Sequence, residues 1–531
     1  MEGGFSATFS ILLSKREYAN LLPHSLEYFV PATSLGGVES LIEQRHVHDP
    51  SEDPLLVRIS IGVEEVEDLK DDLRKAFQKL SKSRKLTLWV ILTQSVQLGA
   101  SEKDKSVTNQ ESTPLLCTRC GSVKTIDISW LSLRALSNEM AKLNGTHLIH
   151  GDSGFSGTEV SPSISVTTTF RVPHPDEHAP GADGFDWQNP SRYMYSRYTQ
   201  NVSTRVEHIL NKINHGNAIT YSSGIAAAYA ALVHFKPKRI AITGGYPGCH
   251  ASIAVYAKNR FEPTPIIGID DEFQEGDLCW VETPVNPTGE SRDIQYYADK
   301  IHAVGGKLIV DSTFGPPPLQ YPFKWGADCI LHSATKYFGG HSDLLAGILI
   351  VKTEQEWNDL FGDRCYLGSM MGSFESWLLL RSLRTLHLRI PRQSASGTEL
   401  AQWLSRAVNV PVGQEYDGVP GGVVTKVWHS SLQGINGSFD PAKQMEGGFS
   451  ATFSFLLSKR EYAELLPHSL EYFVPASSLG GVESLAEYSH MRDPNENPLL
   501  IRLSIGVEEV EDLKDDLRKA FQKLSKMETK A

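Results

Sequence analysis

The sequence predicts an α/β protein: a mainly parallel sheet covered by helices on both faces, joined to a smaller α+β unit at its C-terminal end. Two observations predict it. Between residues 218 and 352, seven apolar, β-rich runs alternate with helical patterns: AITYSSG, RIAITGG, TPIIGI, DLCWVETP, KLIVDST, CILHSATK and AGILIVK. Strands buried on both faces read as continuous apolar runs, and the helices between them supply the crossovers of a parallel sheet. Further on, LLIRLSIG reads as a strand. GVEEVEDLKDDLRKAFQKL follows it, with apolar residues at Val507, Val510, Leu513, Leu517, Phe521 and Leu524. Those spacings of three and four draw one helical stripe.

The α+β segment occurs twice. Residues 1–82 match residues 445–526 without a gap, and 70 of the 82 positions are identical. A large unrelated segment separates the copies, so this is no solenoid. The expected organisation is a partial duplicate of the C-terminal domain over 1–82 and a poorly ordered linker over 83–144. An N-terminal arm with the large domain follows over 145–375, then a small domain over 376–526. The linker expectation rests on SEKDKSVTNQEST (101–113), which is polar and aperiodic. One large-domain core can seat one copy, and the later copy continues directly from it. The earlier copy is therefore expected to leave an apolar face unburied, including its stripe of Val63, Val66, Leu69, Leu73 and Phe77.

Composition narrows the class of partner. Hydrophobic residues make up 40% and charged residues 21%, an ordinary globular balance, and the net charge of -12 argues against nucleic acid. No run of 18 or more apolar residues exists, so no membrane span is expected. The opening residues lack a basic stretch followed by an apolar core, so no secretory signal is read and a cytoplasmic location is expected. Four of the six cysteines (Cys249, Cys279, Cys329 and Cys365) lie scattered in strand-like or buried-looking stretches, which suits reduced thiols. Cys117 and Cys120 form a C-x-x-C without a second ligand pair at finger spacing, so no metal site is expected.

In parallel sheets ligands sit at the carboxyl ends of the strands. Ser223, Tyr246, Glu282, Asp311 and Lys336 all lie at such run ends. KLIVD puts Asp311 where burial is costly unless the carboxylate is paired. A pyridinium nitrogen would be a suitable partner; a cap on the turn at Ser312 and Thr313 is the equal alternative. Lys336 follows a buried strand in HSATKYFGGHSD. A desolvated lysine forms a Schiff base readily, although a lone surface lysine is the commoner case. Ser333 and Thr335 flank it with hydroxyls suited to a phosphate, and Gly339–Gly340 permits close backbone approach. In SSGIAAAYAALVHF the N–H groups of Gly224 and Ile225 would open a helix, a natural anion site; a plain N-cap serine is the alternative. Tyr246 in GGYPGCH could stack on a planar ring or serve as a packed core tyrosine.

Together these motifs resemble the γ-family of pyridoxal-phosphate (PLP) enzymes of Cys/Met metabolism: cystathionine γ-synthase, cystathionine β- and γ-lyases and homoserine sulfhydrylases. The carrying segments are SSGIAAAYAAL (222–232), VETPVNPTGE (281–290), VDSTF (310–314), HSATKYFGGHSD (332–343), LLLRSLRTLHLR (378–389) and SSLGGVES (477–484), in the family's order. YSRYTQ and LCWVETPVNPTGE look closest to fungal cystathionine γ-synthase-like proteins. The resemblance implies the aspartate-aminotransferase-like (type I) fold, with a seven-stranded sheet and a smaller C-terminal domain. It implies a homo-oligomer, a dimer of dimers, acting on small amino-acid substrates.

The resemblance also implies roles residue by residue. Lys336 would carry PLP as a Schiff base and shuttle protons, and Asp311 would hold the pyridine nitrogen. Tyr246 would stack on the ring and assist proton transfer. Gly224, Ile225, Ser333 and Thr335 would bind the phosphate, and Asn286 would lie near the ring oxygen. Tyr195 and Arg197 would reach the phosphate of a neighbouring subunit. Ser478 and Arg502 would bind the substrate α-carboxylate. Two departures stand out. After Y-S-R many relatives have N-P-T, where this chain has Asn201, Val202 and Ser203. Many cystathionine-handling relatives carry Glu immediately before the serine matching Ser478, to meet the distal amino group; this chain has Ser477. The expected activity is γ-replacement on an activated homoserine ester. The alternatives are a cystathionine lyase, a secondary-metabolism γ-substitution enzyme and an inactive fused chain.

Overall fold

The computed structural model describes residues 6–47, 49–81, 88–91, 143–155, 159–171, 186–437, 439–491 and 493–527. Most of the stretch read as a linker, with Cys117 and Cys120, lies outside them. The chain divides into two units, Met1–Ser137 and Asn138–Ala531.

The first unit is an α+β sandwich of one sheet and its helices. Its elements are β1 (Thr8–Leu13), α1 (Arg16–Leu21), β2 (Val30–Pro31), β3 (Leu41–Gln44), β4 (Leu56–Ser60), α2 (Val66–Ser81) and β5 (Leu88–Ile91). The sheet order is β2-β3-β4-β1-β5. Strand β5 lies inside the stretch read as a linker and pairs antiparallel with β1, Ser10 opposite Ile91 and Leu13 opposite Leu88.

The second unit opens with α3 (Gly145–His150) and α4 (Asn201–Asn214). The large domain then runs β6 (Asn217–Tyr221), α5 (Gly224–Phe235), β7 (Arg239–Ala241), α6 (Pro247–Lys258), β8 (Ile266–Ile267), β9 (Asp277–Glu282), α7 (Ile294–His302), β10 (Lys307–Asp311), β11 (Cys329–Ser333), β12 (Gly347–Val351), α8 (Glu354–Leu367) and α9 (Ser373–Leu383). Seven strands form one sheet in the order β6-β12-β11-β10-β9-β7-β8. All neighbours are parallel except β12, which runs antiparallel to β11 and β6. The seven apolar runs are these seven strands. Alternation along β10 shows why the runs are continuous: Leu308 and Val310 enter one core, and Ile309 enters the core on the opposite face. Cys249, Cys279, Cys329 and Cys365 are buried free thiols.

The small domain begins with α10 (Leu386–Ala407) and the hairpin β13 (Glu415–Tyr416) and β14 (Val419–Pro420). It continues with β15 (Val424–Trp428), α11 (Pro441–Gln444), β16 (Thr452–Leu457), α12 (Arg460–Leu465), β17 (Val474–Pro475), β18 (Leu485–Glu487), β19 (Leu500–Ser504) and α13 (Val510–Lys526). Leu513, Leu517, Phe521 and Leu524 of α13 are fully buried; each such side chain contributes about 1.5–3 kcal/mol. Val507, included in the expected stripe, precedes the helix and is partly exposed.

The duplicate repeats this construction, with a local substitution at one edge. The small-domain sheet is β15-β16-β19-β18-β17, and β5 takes beside β1 the place that β15 takes beside β16. Internal hydrogen bonds recur at the same offset. Asp72 accepts from the N–H groups of Glu27 and Tyr28, as Asp516 does from those of Glu471 and Tyr472. The expectation that the stripe would be left unburied is corrected for most of its length, while Val66 at its start is 57% accessible. Leu69 and Ala76 are in the unit's own core, and Leu73 and Phe77 pack against it, because the first unit keeps a sheet for its helix to cover. The unit also exposes the loop at Leu35, 56% accessible where Leu479 is 6%.

Each unit thus closes its own core. Residues 6–91 produced alone are expected to unfold cooperatively in urea, and deletion of 88–91 to lower the midpoint. A chain starting at residue 142 is expected to keep its thermal midpoint within about 2 °C of the second-unit transition in the full chain. A non-cooperative profile for 6–91 would count against this.

Candidate active site

The carboxyl ends of the parallel strands open into a cleft of about 180 Å³ between the large and small domains. Asp311 ends β10 and Glu282 ends β9, directly opposite one another in the parallel register. Both are buried. Asp311 Oδ1 accepts from the Thr313 N–H at 3.0 Å and the Thr313 hydroxyl at 2.6 Å. Its Oδ2 has the Cys249 thiol 3.8 Å away. The turn-capping reading of Asp311 is met through Oδ1, and the residue also borders the cleft.

Glu282 joins two loops. Oε2 accepts from the Tyr246 N–H at 2.6 Å, and Oε1 accepts from the Asn286 N–H at 2.6 Å. Burial, then the charge of Asp311, raises the Glu282 pKa from 4.5 to about 8, although the two N–H bonds and Arg292 oppose the rise. Burial raises Asp311 from 3.8 to about 6, against the pull of the Thr313 bonds. Burial thus holds both adjacent carboxyls above the usual carboxylate range, and the neighbouring charge of Asp311 adds to the rise at Glu282.

The remaining residues converge on the same cleft. Lys336 follows β11, and its Nζ donates to Ser478 Oγ at 3.0 Å. Gly224 and Ile225 open α5, whose N-cap Ser223 accepts from the Ala226 N–H at 3.1 Å. A Cβ on Gly224 would lie 3.1 Å from the Ser333 side chain, so glycine keeps this cradle open. Ser333 and Thr335 line it. Tyr246 caps α6 without a side-chain cap bond and borders the cleft. Asn286 Oδ1 accepts from Arg502 Nη1 at 2.7 Å, and Arg502 Nη2 donates to the Ser477 carbonyl at 2.8 Å.

Tyr195 and Arg197 stand apart from this group. The Arg197 guanidinium lies over the rings of Tyr195, Tyr198 and Tyr366 and donates to the Cys365 carbonyl at 3.2 Å. Glu487, which ion-pairs with Arg502, was not legible as a site residue. Its one available signal was its position in a copy of the strand unit. Thr313 and Cys249 were likewise not assigned, because their bearing on Asp311 depends on how separate loops fold back.

With this geometry in hand, comparison with known proteins gives a family. The chain matches the Cys/Met metabolism PLP-dependent enzyme family over residues 1–78 and 145–522. It belongs to that family. It is 31% identical over 389 residues to the cystathionine gamma-synthase/O-acetylhomoserine (thiol)-lyase of Bacillus subtilis, covering 68% of this chain and 91% of that one. Identity with the Bacillus subtilis cystathionine gamma-lyase is 29%, over 71% of this chain and 99% of that one. The crystal structure of cystathionine gamma-lyase from Lactobacillus plantarum complexed with L-serine superposes with a TM-score of 0.61 at 28% identity, covering 72% of this chain and 99% of that one. Cystathionine gamma synthase from Xanthomonas oryzae, in complex with aminoacrylate and cysteine, gives 0.59 at 26%, covering 72% and 98%. About seven-tenths of this chain thus spans the lyases and the Xanthomonas synthase almost end to end. The family is PLP-dependent. The residues present fit that cofactor: a lysine in the cleft, a buried anion at a strand end, and a glycine-lined helix N-terminus.

The acid pair makes a testable statement about pH. A carboxyl whose folded pKa is raised keeps a proton that the unfolded chain releases. Stability therefore falls as pH rises from the ordinary value of 4.5 to about 8. Urea midpoints of the cofactor-free protein should decline across that window, and Glu282→Gln should flatten the decline. Parallel profiles for the two proteins would contradict the assignment.

Proposed function

We propose that this chain is a γ-replacement enzyme acting on an activated homoserine ester, with cysteine as the nucleophile and cystathionine as the product. The observation that carries this over cystathionine cleavage is that no exposed carboxyl group is found among the described residues lining the cleft. Among the described residues, the carboxyl groups lining it are Glu282 and Asp311, both buried at strand ends. Ser477 lines the position where cystathionine-handling relatives carry Glu. A lyase must hold the distal ammonium group of cystathionine from the start, whereas an acylated homoserine brings no ammonium group at that end. Charge pairing of this kind discriminates substrates strongly when it is buried.

In this reading Lys336 holds the cofactor covalently and Asp311 holds its ring nitrogen. Gly224, Ile225, Ser333 and Thr335 would hold its phosphate, Tyr246 would stack on its ring, and Asn286 would lie near its ring oxygen. Bound PLP supplies an electron sink for the charge that develops at the substrate Cα. Lys336 Nζ takes the Cα proton and moves protons along the substrate, with the Ser478 hydroxyl as its neighbour. Arg502 takes the α-carboxylate in a bidentate fork. Tyr195 and Arg197, clear of their own cleft, reach the phosphate in a neighbouring subunit, and the active unit is at least a dimer, in the family manner a pair of dimers. The reaction occurs in the cytoplasm; among the described residues no helix is long and apolar enough to cross a membrane.

Lys336→Ala is expected to lose the visible absorbance of the bound cofactor and all measurable turnover. Asp311→Ala should keep part of the cofactor and lose activity by about 10²–10⁴-fold. Product analysis with acylated homoserines plus cysteine, against cystathionine alone, separates synthase from lyase; faster breakdown of cystathionine would reverse the choice. For the assembly, mixing Arg197→Ala with Lys336→Ala subunits is expected to restore activity, because one hybrid site then holds both intact residues. No recovery from subunits shown to exchange would remove Arg197 from the neighbour's site.

A further inference from the structure

Arg502 lies on β19 directly opposite Glu487 on β18, and both side chains are buried. The guanidinium ion-pairs with Glu487 Oε2 through the same Nη2 that donates to the Ser477 and Ser478 carbonyls. Nη1 donates to Asn286 in the large domain. An arginine in such a place needs a counter-charge, since a buried cation without one is strongly destabilising. A guanidinium offers five N–H donors in a fixed fork. Both terminal nitrogens of Arg502 are engaged here, so an incoming carboxylate would exchange for the neutral Asn286 or carbonyl contacts while Glu487 keeps hold of the arginine.

The duplicate is a built-in control. Arg58 on β4 lies opposite Glu43 on β3 and pairs with it at 2.7 Å, and its Nη2 also donates to the Thr33 and Ser34 carbonyls. The first unit contains no counterpart of Lys336, Asp311 or Asn286. The positions flanking both members also differ between the copies: Ile42 and Gln44 against Ala486 and Tyr488, Val57 and Ile59 against Ile501 and Leu503. The pair nevertheless forms, with the same carbonyl contacts. Its geometry is set inside the small-domain sheet, before any cofactor or large-domain residue takes part.

We propose that Glu487 is the positioning residue for Arg502, holding the guanidinium in place at the cleft so that a substrate α-carboxylate can exchange for its neutral contacts without the arginine leaving its position. This rests on the reading of Arg502 given above. Glu487 touches no substrate. It acts by fixing the arginine and balancing its charge while the site is empty of substrate. Glutamine at 487 keeps the acceptor oxygen and the length of the side chain. Alanine removes the acceptor, and aspartate withdraws it by one methylene.

The test titrates the holoenzyme with two probes, following the shift in cofactor absorbance. L-alanine carries an α-carboxylate and methylamine does not. Glu487→Ala is expected to raise the Kd for L-alanine by about tenfold or more, leave that for methylamine unchanged, and keep kcat at saturation within about threefold. Glu487→Gln, which keeps the acceptor and loses the charge, should restore part of the loss. If the alanine variant does not fold, Glu487→Asp should shift the same ratio in the same direction. An unchanged ratio of the two Kd values in the folded variant overturns the proposal. Arg502→Lys separates the two layers: if it too leaves the ratio unchanged, the reading of Arg502 fails; if it alone raises the ratio, only the role of Glu487 fails.

Discussion

The loop at Gly480 lies so close to the lysine loop that a Cβ there would come within 2.7 Å of the Tyr337 amide. Gly480 has φ +75°, a conformation that side chains other than glycine rarely adopt. This approach brings Ser478 within hydrogen-bond reach of Lys336 and seats the Val482 amide on the Gly340 carbonyl at 2.9 Å. Gln393 of α10 adds bonds to the Gly481 and Ile505 carbonyls. Arg502 can then span the gap to Asn286. The cleft is a property of two domains at contact distance, and the small domain supplies its arginine only because backbone meets backbone there. The duplicate states the converse: Gly36, with φ +76°, has nothing within 4 Å of its would-be Cβ.

The large domain was legible because burial on both faces removes the ambiguity of a strand. Each apolar run from AITYSSG to AGILIVK became a strand, and each polar run end marked a place where the sheet faces the cleft. What a one-dimensional pattern could not carry was strand direction. The antiparallel setting of β12 depends on the short loop that returns the chain from Lys336 to Gly347, and no period encodes that. Along the site, Asp311 and Lys336 stood out because an ionisable group next to an apolar run is costly. Glu487 did not stand out, because its importance depends on the residue it faces across a strand pair. Register, unlike hydrophobicity, is a relation between distant segments.

The stripe in the first unit teaches a related lesson. It was read as an apolar surface lacking its partner, on the assumption that a helix from the small domain needs the large one. Leu69, Ala76 and Leu80 instead enter a core with Ile11, Leu13, Val57 and Ile59, all within the same segment. Contacts between residues close in sequence travel with a copied segment. Contacts to the large domain do not, and the exposed Leu35 marks where the copied information ends.

Strand β5 bears on how such a copy can persist. A sheet cut from its parent exposes a row of unpaired N–H and C=O groups, a ready template for another chain to add a strand. The matched segment 445–526 follows β15, so the strand that covers β16 lies outside the part the two copies share. Four residues of a sequence unrelated to β15 occupy the position instead, with Ile91, Val90, Trp89 and Leu88 opposite Ser10 through Leu13. Backbone pairing asks little of side-chain identity, so a passing stretch of apolar chain can serve. Tolerance of a partial duplication then turns on whether the flanking sequence can close a sheet edge before a neighbouring molecule does.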